Sequence, residues 1–375
     1  MTTIEKHNKH PKLKRPTVGC FHHAEWAIYG TTCGNIEQLW NAINNGINTN
    51  LKIAYIDADH SEGVKDTKLQ IGKKTISQST IREWNTYDDK LNTNHLDAVI
   101  VNGNHYQANQ QIVVLDPKKK DSLYRRINQL DNIKVIIKTE DDIEIYDFLQ
   151  DKIDNETLIL SLTDTKGLIK YINSQLLNLR PKLKALILGG GKSQRMGKDK
   201  SQLIYNNNRP QQLYIADLCA ELNIDTYISK QHDYPENKID QYSVINDRLI
   251  AMGPFGAIVS AMMYDPDSAW LVIACDLPYI DKASINRLIK NRDASKYATA
   301  TIGIGNPFPE PLISIYEPKI YSRFLQFMAL GYSCPRKVLI NSEVKTVEIL
   351  DNKTITNVNT LDEDNQVRIE NNKKA

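Results

Sequence analysis

No apolar run in this chain approaches the roughly 20 residues that a membrane-spanning helix needs. No sign of charge predominates either: 47 Lys and Arg face 45 Asp and Glu, a formal net charge of +2. A concentrated basic surface is the usual footprint of nucleic-acid binding, and this balance gives no such signal, so any anion site must be built locally. Cysteine is sparse, with Cys20, Cys33, Cys219, Cys275 and Cys334 scattered, odd in number and without a CxxC pair. That scatter argues against a zinc site or a disulfide framework and suits a reducing compartment. The opening MTTIEKHNKHPKLKRP is polar and basic and lacks the apolar segment of a signal peptide. The expectation is a cytoplasmic protein with neither nucleic acid nor membrane as partner.

What is present is an ordinary globular composition, 41% hydrophobic and 25% charged, in 375 residues, enough for two or three domains. Residues 17–180 alternate strand and helix signals. The apolar stretch Glu25 to Tyr29 ends in a glycine-bounded turn, Gly30 to Gly34. Ile36, Leu39, Trp40 and Ile43 then share one helical face, and Leu51 to Asp59 reads as a buried strand. Further strands are expected at 96–102, 112–115, 135–138 and 158–162, with helices at 141–153 and 167–179. Leu176 to Lys184, with Pro181 inside it, reads as a junction. Residues 183–365 then alternate again: strands at 185–188, 226–229, 270–276, 297–302, 312–316 and 344–350, and helices at 211–222, 254–263, 282–290 and 320–330. The alternation predicts two α/β domains, the second with a mostly parallel sheet covered on both faces.

The strongest local signal is LGGGKSQRMGKDK, Leu188 to Lys200, directly after an apolar strand. Gly189, Gly190 and Gly191 let the backbone turn tightly and approach a ligand, with amide hydrogens free to meet phosphate oxygens. Ser193 adds a donor, and Arg195, Lys198 and Lys200 add cations. A solvated basic loop is the bland alternative, but the fixed order of motifs stands against it. The pattern is neither a Walker loop nor a dinucleotide fingerprint. Elsewhere, Asp276 ends the strand WLVIACD just before Leu-Pro, where open α/β sheets bind ligands, although a lone Asp there is also a common cap. Asp247 lies in INDRLIAMGPFGAI, with Asn246 as the weaker candidate beside it.

The glycine run resembles LAGGxSxRMGxDKxxL, the signature of molybdenum cofactor guanylyltransferases and their relatives in the glycosyltransferase-A-like nucleotidyltransferase superfamily. Leu188, Gly190, Gly191, Ser193, Arg195, Met196, Gly197, Asp199, Lys200 and Leu203 fall in place, with Gly189 where alanine is usual. Cys275 to Ile280 match the family's CDxPxI, and Gly253, Pro254 and Gly256 its Gly-Pro-Leu-x-Gly. The resemblance implies a Rossmann-like nucleotidyltransferase domain that moves GMP from GTP to a molybdopterin-type cofactor. Within it Lys200 and Arg195 would act on the phosphates, the glycine backbone and Asp247 would hold the nucleotide, and Asp276 would ligate Mg2+. Gly190 leans toward GTP over the cytidylyl relatives. Arg336 and Lys337, in SCPRKVL, and Asn357 and Asn359, in NVNTLDE, match later motifs and are candidates for the pterin side; a solvated helix end or a turn explains them equally well. A molybdoenzyme or cofactor-carrier protein would receive the product. Other readings are a cytidylyl or sugar-phosphate nucleotidyltransferase and a cofactor chaperone without catalysis.

In the first half, YGTTCGNIEQL sits where a phosphate loop would, but the Walker register places Tyr29 at the first glycine, Asn35 at the lysine and Ile36 at the Ser/Thr. Only Gly34 remains. The β- and γ-phosphates would lack a charge partner and the metal a ligand. Ile56 to His60 and Asp164 echo the other strand ends of such a domain. With its context, this half resembles the accessory GTP-binding protein of molybdopterin-guanine dinucleotide synthesis, with degenerate motifs and no expected GTP hydrolysis. His22, His23, Asp59 and His60 suggest a metal site only weakly, because separated His and Asp are more often surface or core residues.

Overall fold

The computed structural model describes residues 18–19, 21–47, 50–60, 68–71, 76–79, 89–189, 200–206, 208–358 and 360–372. Contacts divide the chain into two compact units, Met1–Leu179 and Arg180–Ala375. Among the described residues no helix is long and apolar enough to cross a membrane.

The first unit contains strands β1 (Glu25–Tyr29), β2 (Ile53–Ile56), β3 (Lys68–Ile71), β4 (Ile76–Ser79), β5 (Ala98–Asn102), β6 (Gln110–Leu115), β7 (Ile133–Lys138) and β8 (Leu158–Ser161). Its helices are α1 (Cys33–Gly46), α2 (Asp89–Thr93), α3 (Lys120–Tyr124), α4 (Asp147–Gln150) and α5 (Thr165–Asn178). Six strands form one sheet in the order β2-β5-β1-β6-β7-β8, every neighbouring pair parallel, while β3 and β4 make a separate antiparallel pair. Both faces of a parallel sheet are covered, so its central strands are apolar throughout; β1, β5 and β6 are buried at every position. Alternation divides them between two cores. Trp26 and Ile28 pack with Ile36 and Ile43 of α1 and Leu168 and Ile172 of α5. Ala27 and Tyr29 pack on the other face with Leu123, Tyr146 and Leu149.

Residues 141–153 depart from the expected helix, since only Asp147–Gln150 is helical. Ile143 and Ile145 stand two apart among acidic residues, a spacing that gives no helical face.

The second unit contains β9 (Leu183–Leu188), β10 (Ile204–Asn206), β11 (Arg209–Pro210), β12 (Asp225–Lys230), β13 (Lys238–Ile239), β14 (Tyr242–Asn246), β15 (Ala269–Ala274), β16 (Ala298–Ile302), β17 (Pro309–Tyr316) and β18 (Val344–Glu348). The helices are α6 (Gln211–Ala220), α7 (Gly253–Tyr264), α8 (Lys282–Lys290), α9 (Ile320–Ala329), α10 (Pro335–Ile340) and α11 (Leu361–Asn372). The main sheet has eight strands in the order β13-β14-β12-β9-β15-β17-β16-β18. β14, β12, β9 and β15 run parallel, β17 is antiparallel to both β15 and β16, β18 is parallel to β16, and β13 reverses at the edge. The sheet is mostly parallel, as the alternation predicts.

One core holds Ala185, Ile187, Leu271 and Ile273 against α6 and α8. The other holds Leu186, Leu188, Trp270 and Val272 against α7, α9 and α10. Six elements, β10, β11, β13, β14, α10 and α11, are not expected from the sequence. β14 is only partly buried and weakly apolar. The acidic α11 carries few apolar residues, though its Val367 packs with Leu203, Tyr205 and Val358.

Candidate functional site

Gly189 directly follows β9, Lys230 ends β12, Asp247 follows β14, and Asp276 comes two residues after β15. These four strands are consecutive and parallel, with Leu188 in register with Ser229 and with Ala274, and Lys230 with Asn246. All four residues therefore leave the same carboxyl edge of the sheet, the edge at which open α/β sheets bind ligands.

Lys200 lies in a short 3-10 turn, Lys200–Gln202, and its Nζ stands 3.4 Å from Asp276 Oδ2. The side chains are 16% and 19% exposed, so the pair is shielded yet reachable. Among the described residues, Asp276 Oδ1 is buried without a hydrogen-bond partner, as are Gln211 Oε1 and Gln212 Oε1 at the start of α6. The main chain beside Asp276 is held firmly: Gln211 Nε2 donates to Leu277 O at 2.7 Å, Asn206 Nδ2 to Pro278 O at 3.0 Å, and Val358 N to Asp276 O at 2.9 Å. The segment around Asn357 is thus tied to the strand end that carries Asp276.

Lys230, absent from the sequence candidates, is a buried cation at this edge. Its Nζ donates to Gly189 O at 2.5 Å and to Ser201 Oγ at 3.3 Å, and lies 5.7 Å from the centre of the Tyr234 ring. It joins the strand end before the glycine run to the turn after it. A lysine closing the strand TYISK, beside a glycine-rich loop, is the only sequence signal for it. Gly189 also has little room: a Cβ there would meet Gln212 Oε1 at 2.5 Å and Ile228 Cγ2 at 3.0 Å.

Asp247 accepts from Ser229 Oγ at 2.9 Å, and its amide donates to Lys230 O at 2.8 Å. Burial pushes its carboxyl up to about 6, and the Ser229 hydroxyl only partly opposes that. The next turn is locked by Ser260, which donates to Gly256 O at 2.7 Å and accepts from Arg248 N at 2.8 Å. Gly256 cannot carry a side chain without shifting the backbone, because a Cβ would stand 2.7 Å from Leu249 O. Asn246 donates to Tyr234 O at 2.9 Å.

Leu277, Glu310, Arg336, Ile355 and Asn357 line a small cavity of about 60 Å³ next to the Asp276 strand end. Arg336 Nη2 donates to Glu310 Oε2 at 2.7 Å. Lys337 does not line this cavity; its Nζ sits 5.3 Å from the centre of the Tyr332 ring. Gly190, Gly191, Ser193, Arg195 and Asn359 lie outside the described residues.

In the first unit the turn after β1 is closed by its own side chains. Asn35, at the Walker lysine position, donates through Nδ2 to Thr31 Oγ1 at 2.8 Å, and Thr31 Oγ1 donates to Asp116 at 3.0 Å. Ile36, at the Ser/Thr position, is fully buried core. Asp164 caps α5, accepting from Gly167 N at 2.9 Å. His22 and His23 stack on each other, with ring centres 4.1 Å apart, and His22 Nδ1 accepts from Ala24 N. The four-residue grouping of His22, His23, Asp59 and His60 is not among the clusters of potential metal ligands found in the described residues; of these, only His60 enters one, with different partners.

Residues 185–345 match the family described as the MobA-like NTP transferase domain. A molybdenum cofactor biosynthesis bifunctional protein of a Synechocystis strain is 31% identical over 186 residues, which cover 49% of this chain and 53% of that protein. The match therefore spans about half the length of that relative. A probable molybdenum cofactor guanylyltransferase of Flavobacterium johnsoniae is 27% identical over 198 residues, 50% of this chain and 97% of that one. The solved molybdopterin-guanine dinucleotide biosynthesis protein A of Archaeoglobus fulgidus is 16% identical over 51% of this chain and 99% of its own, with a TM-score of 0.41.

Proposed function

We propose that the second unit transfers GMP from GTP to a molybdopterin-type cofactor, giving the guanine dinucleotide form and pyrophosphate. The observation that carries this reading is the convergence of Gly189, Lys200, Lys230, Asp247 and Asp276 on one carboxyl edge, inside a domain of the matching family. The names of the relatives supply the substrates.

In the reaction an oxygen of the acceptor's terminal phosphate forms a bond to the α-phosphorus of GTP, and the bond from that phosphorus to the bridging oxygen breaks, releasing pyrophosphate. The attacking phosphate is already anionic near neutral pH, so no strong general base is required, and catalysis rests on positioning and charge. Lys200 balances phosphate charge, and Lys230 fixes the carbonyl of Gly189 at the strand end. The orphaned Oδ1 of Asp276 fits a Mg2+ ligand, since this ion takes one or two carboxylates and fills its remaining positions with phosphate and water. When bound, Mg2+ would neutralise the triphosphate and steady the leaving group. Arg336 and Asn357 line the small cavity that Leu277, next to Asp276, also borders, and there they would meet the acceptor phosphate. A molybdoenzyme or a cofactor carrier would take the product.

We infer no turnover by the first unit, because its Walker lysine position is an asparagine engaged with Thr31. The test of the transferase reading is to incubate the full chain with Mg2+, molybdopterin and each NTP in turn, and to identify the product by mass. The expected result is a guanine dinucleotide with one pyrophosphate per transfer. A cytidine or other dinucleotide would reassign the donor, and cofactor binding without GTP consumption would replace the enzyme with a carrier.

A further inference from the structure

The first unit gathers a thiol and two imidazoles at the carboxyl edge of its own sheet. Cys33 opens α1 just after β1, His60 follows β2, and His105 follows β5. The order β2-β5-β1 makes those strands consecutive neighbours. Cys33 Sγ stands 3.5 Å from His105 Nε2, and His60 Nε2 stands 3.2 Å from the same nitrogen. One ligand atom from each residue lies within 4.8 Å of the others. We propose that this cluster binds a transition-metal ion of the zinc class, through Cys33 Sγ and one nitrogen of each imidazole.

The distances fit that ion. Zn–N bonds of about 2.05 Å and Zn–S bonds of about 2.3 Å in a tetrahedron place neighbouring nitrogens about 3.3 Å apart and nitrogen and sulfur about 3.6 Å apart. The observed separations of 3.2 and 3.5 Å match both. Hydrogen bonding alone satisfies the group less well. A neutral imidazole nitrogen offers either one hydrogen or one lone pair, yet His105 Nε2 faces both the sulfur and the second imidazole. An ion between the three satisfies them together.

The surroundings are organised in the same sense. Asp57 Oδ1 lies 3.7 Å from His105 Nε2, and this carboxylate is fixed by Asn102 Nδ2, at 2.9 and 3.0 Å, and by Tyr55 OH at 2.8 Å. It is a candidate donor for a fourth position. Asn104 Nδ2 stands 3.6 Å from Cys33 Sγ and donates to Thr31 O at 3.1 Å, which orients the turn that carries the thiol. A thiolate with two imidazoles selects zinc or cobalt over magnesium, so this site differs in kind from the one proposed at Asp276. The scatter of cysteines in the sequence does not reveal it: Cys33 and His105 are 72 residues apart, and the sheet alone brings them together.

The test uses the full chain after treatment with a chelator. Co2+ is titrated in and the thiolate-to-cobalt charge-transfer band and ligand-field bands are followed, then Zn2+ is added as competitor. The expected result is one equivalent per chain, displaced by Zn2+. Cys33→Ser should remove the charge-transfer band, and His60→Ala should weaken binding at least about 100-fold. His60 is exposed, so its replacement leaves the core intact. His232→Ala, in the second unit, should change nothing. Absence of a thiolate band in the parent chain, or a band that survives Cys33→Ser, would overturn the proposal. So would affinity unchanged in both cluster variants, because the ion would then sit elsewhere.

Discussion

The two units share a plan and differ in what they hang on it. Each has a sheet that is wholly or mostly parallel, a glycine directly after its first strand (Gly30 after β1, Gly189 after β9), and polar side chains gathered near neighbouring carboxyl ends. In the second unit those ends carry Lys200, Lys230, Asp247 and Asp276, hard and charged groups suited to a triphosphate and magnesium. In the first they carry Cys33, His60 and His105, a soft set suited to another metal. The sheet supplies a place, and a handful of side chains decides the chemistry.

The largest expected effect comes from removing the proposed metal ligand. Asp276→Ala should lower kcat for guanylyl transfer at least about 10³-fold, about 4 kcal/mol in barrier, with the loss read by pyrophosphate release. No residual GTP hydrolysis should emerge from the first unit. Residual hydrolysis in this variant would erase the functional contrast between the units.

The next two effects compare the paired glycines. Gly30 has φ +87°, and a Cβ there would stand 2.2 Å from Val114 O, a backbone atom that cannot move freely. Gly30→Ala should destabilise the first unit by about 3 kcal/mol or more, measured by chemical denaturation of the full chain followed by tryptophan fluorescence. Gly189→Ala forms the other arm. Its closest clash is the end of a flexible Gln212 side chain, and Gly189 is not among the positive-φ glycines. The cost there should stay under about 1 kcal/mol, the smallest effect in the set. Equal losses at the two positions would break the comparison.

Between these lies Asp247. Its folded carboxyl is raised to about 6 from an ordinary 3.8. Between those values the native chain keeps a proton that the unfolded chain has released, so stability falls as pH rises through that window. The ceiling on that loss is about 3 kcal/mol, and solvent at this half-buried edge reduces it to about 1–2 kcal/mol. Asp247→Asn should match the parent near pH 4 and exceed it above pH 6 in denaturant midpoint. A flat difference across pH would remove the burial argument for this carboxyl.

Legibility in the sequence follows locality. Lys200 and Asp276 stand out because each sits in a contiguous motif beside an apolar strand, and the fold then sets them 3.4 Å apart. The central strands and the longer helices α1, α5, α8 and α9 are legible because their apolar spacing is regular, whereas the short α10 is not. Lys230 is not, since one lysine at a strand end carries no pattern until Gly189 O and Ser201 lie against it. β14 and α11 escape for lack of an apolar rhythm, so Asp247 reads as a loop residue and not as the end of a strand. The Cys33, His60 and His105 cluster depends wholly on which strands the sheet makes neighbours.

The most direct test of the account is the stoichiometry of Mg2+-GTP binding to the full chain by calorimetry. One nucleotide per chain is predicted, with that site lost in the Lys200→Ala/Asp276→Ala double variant. Two nucleotides per chain, or one that persists undiminished in the double variant, would contradict it.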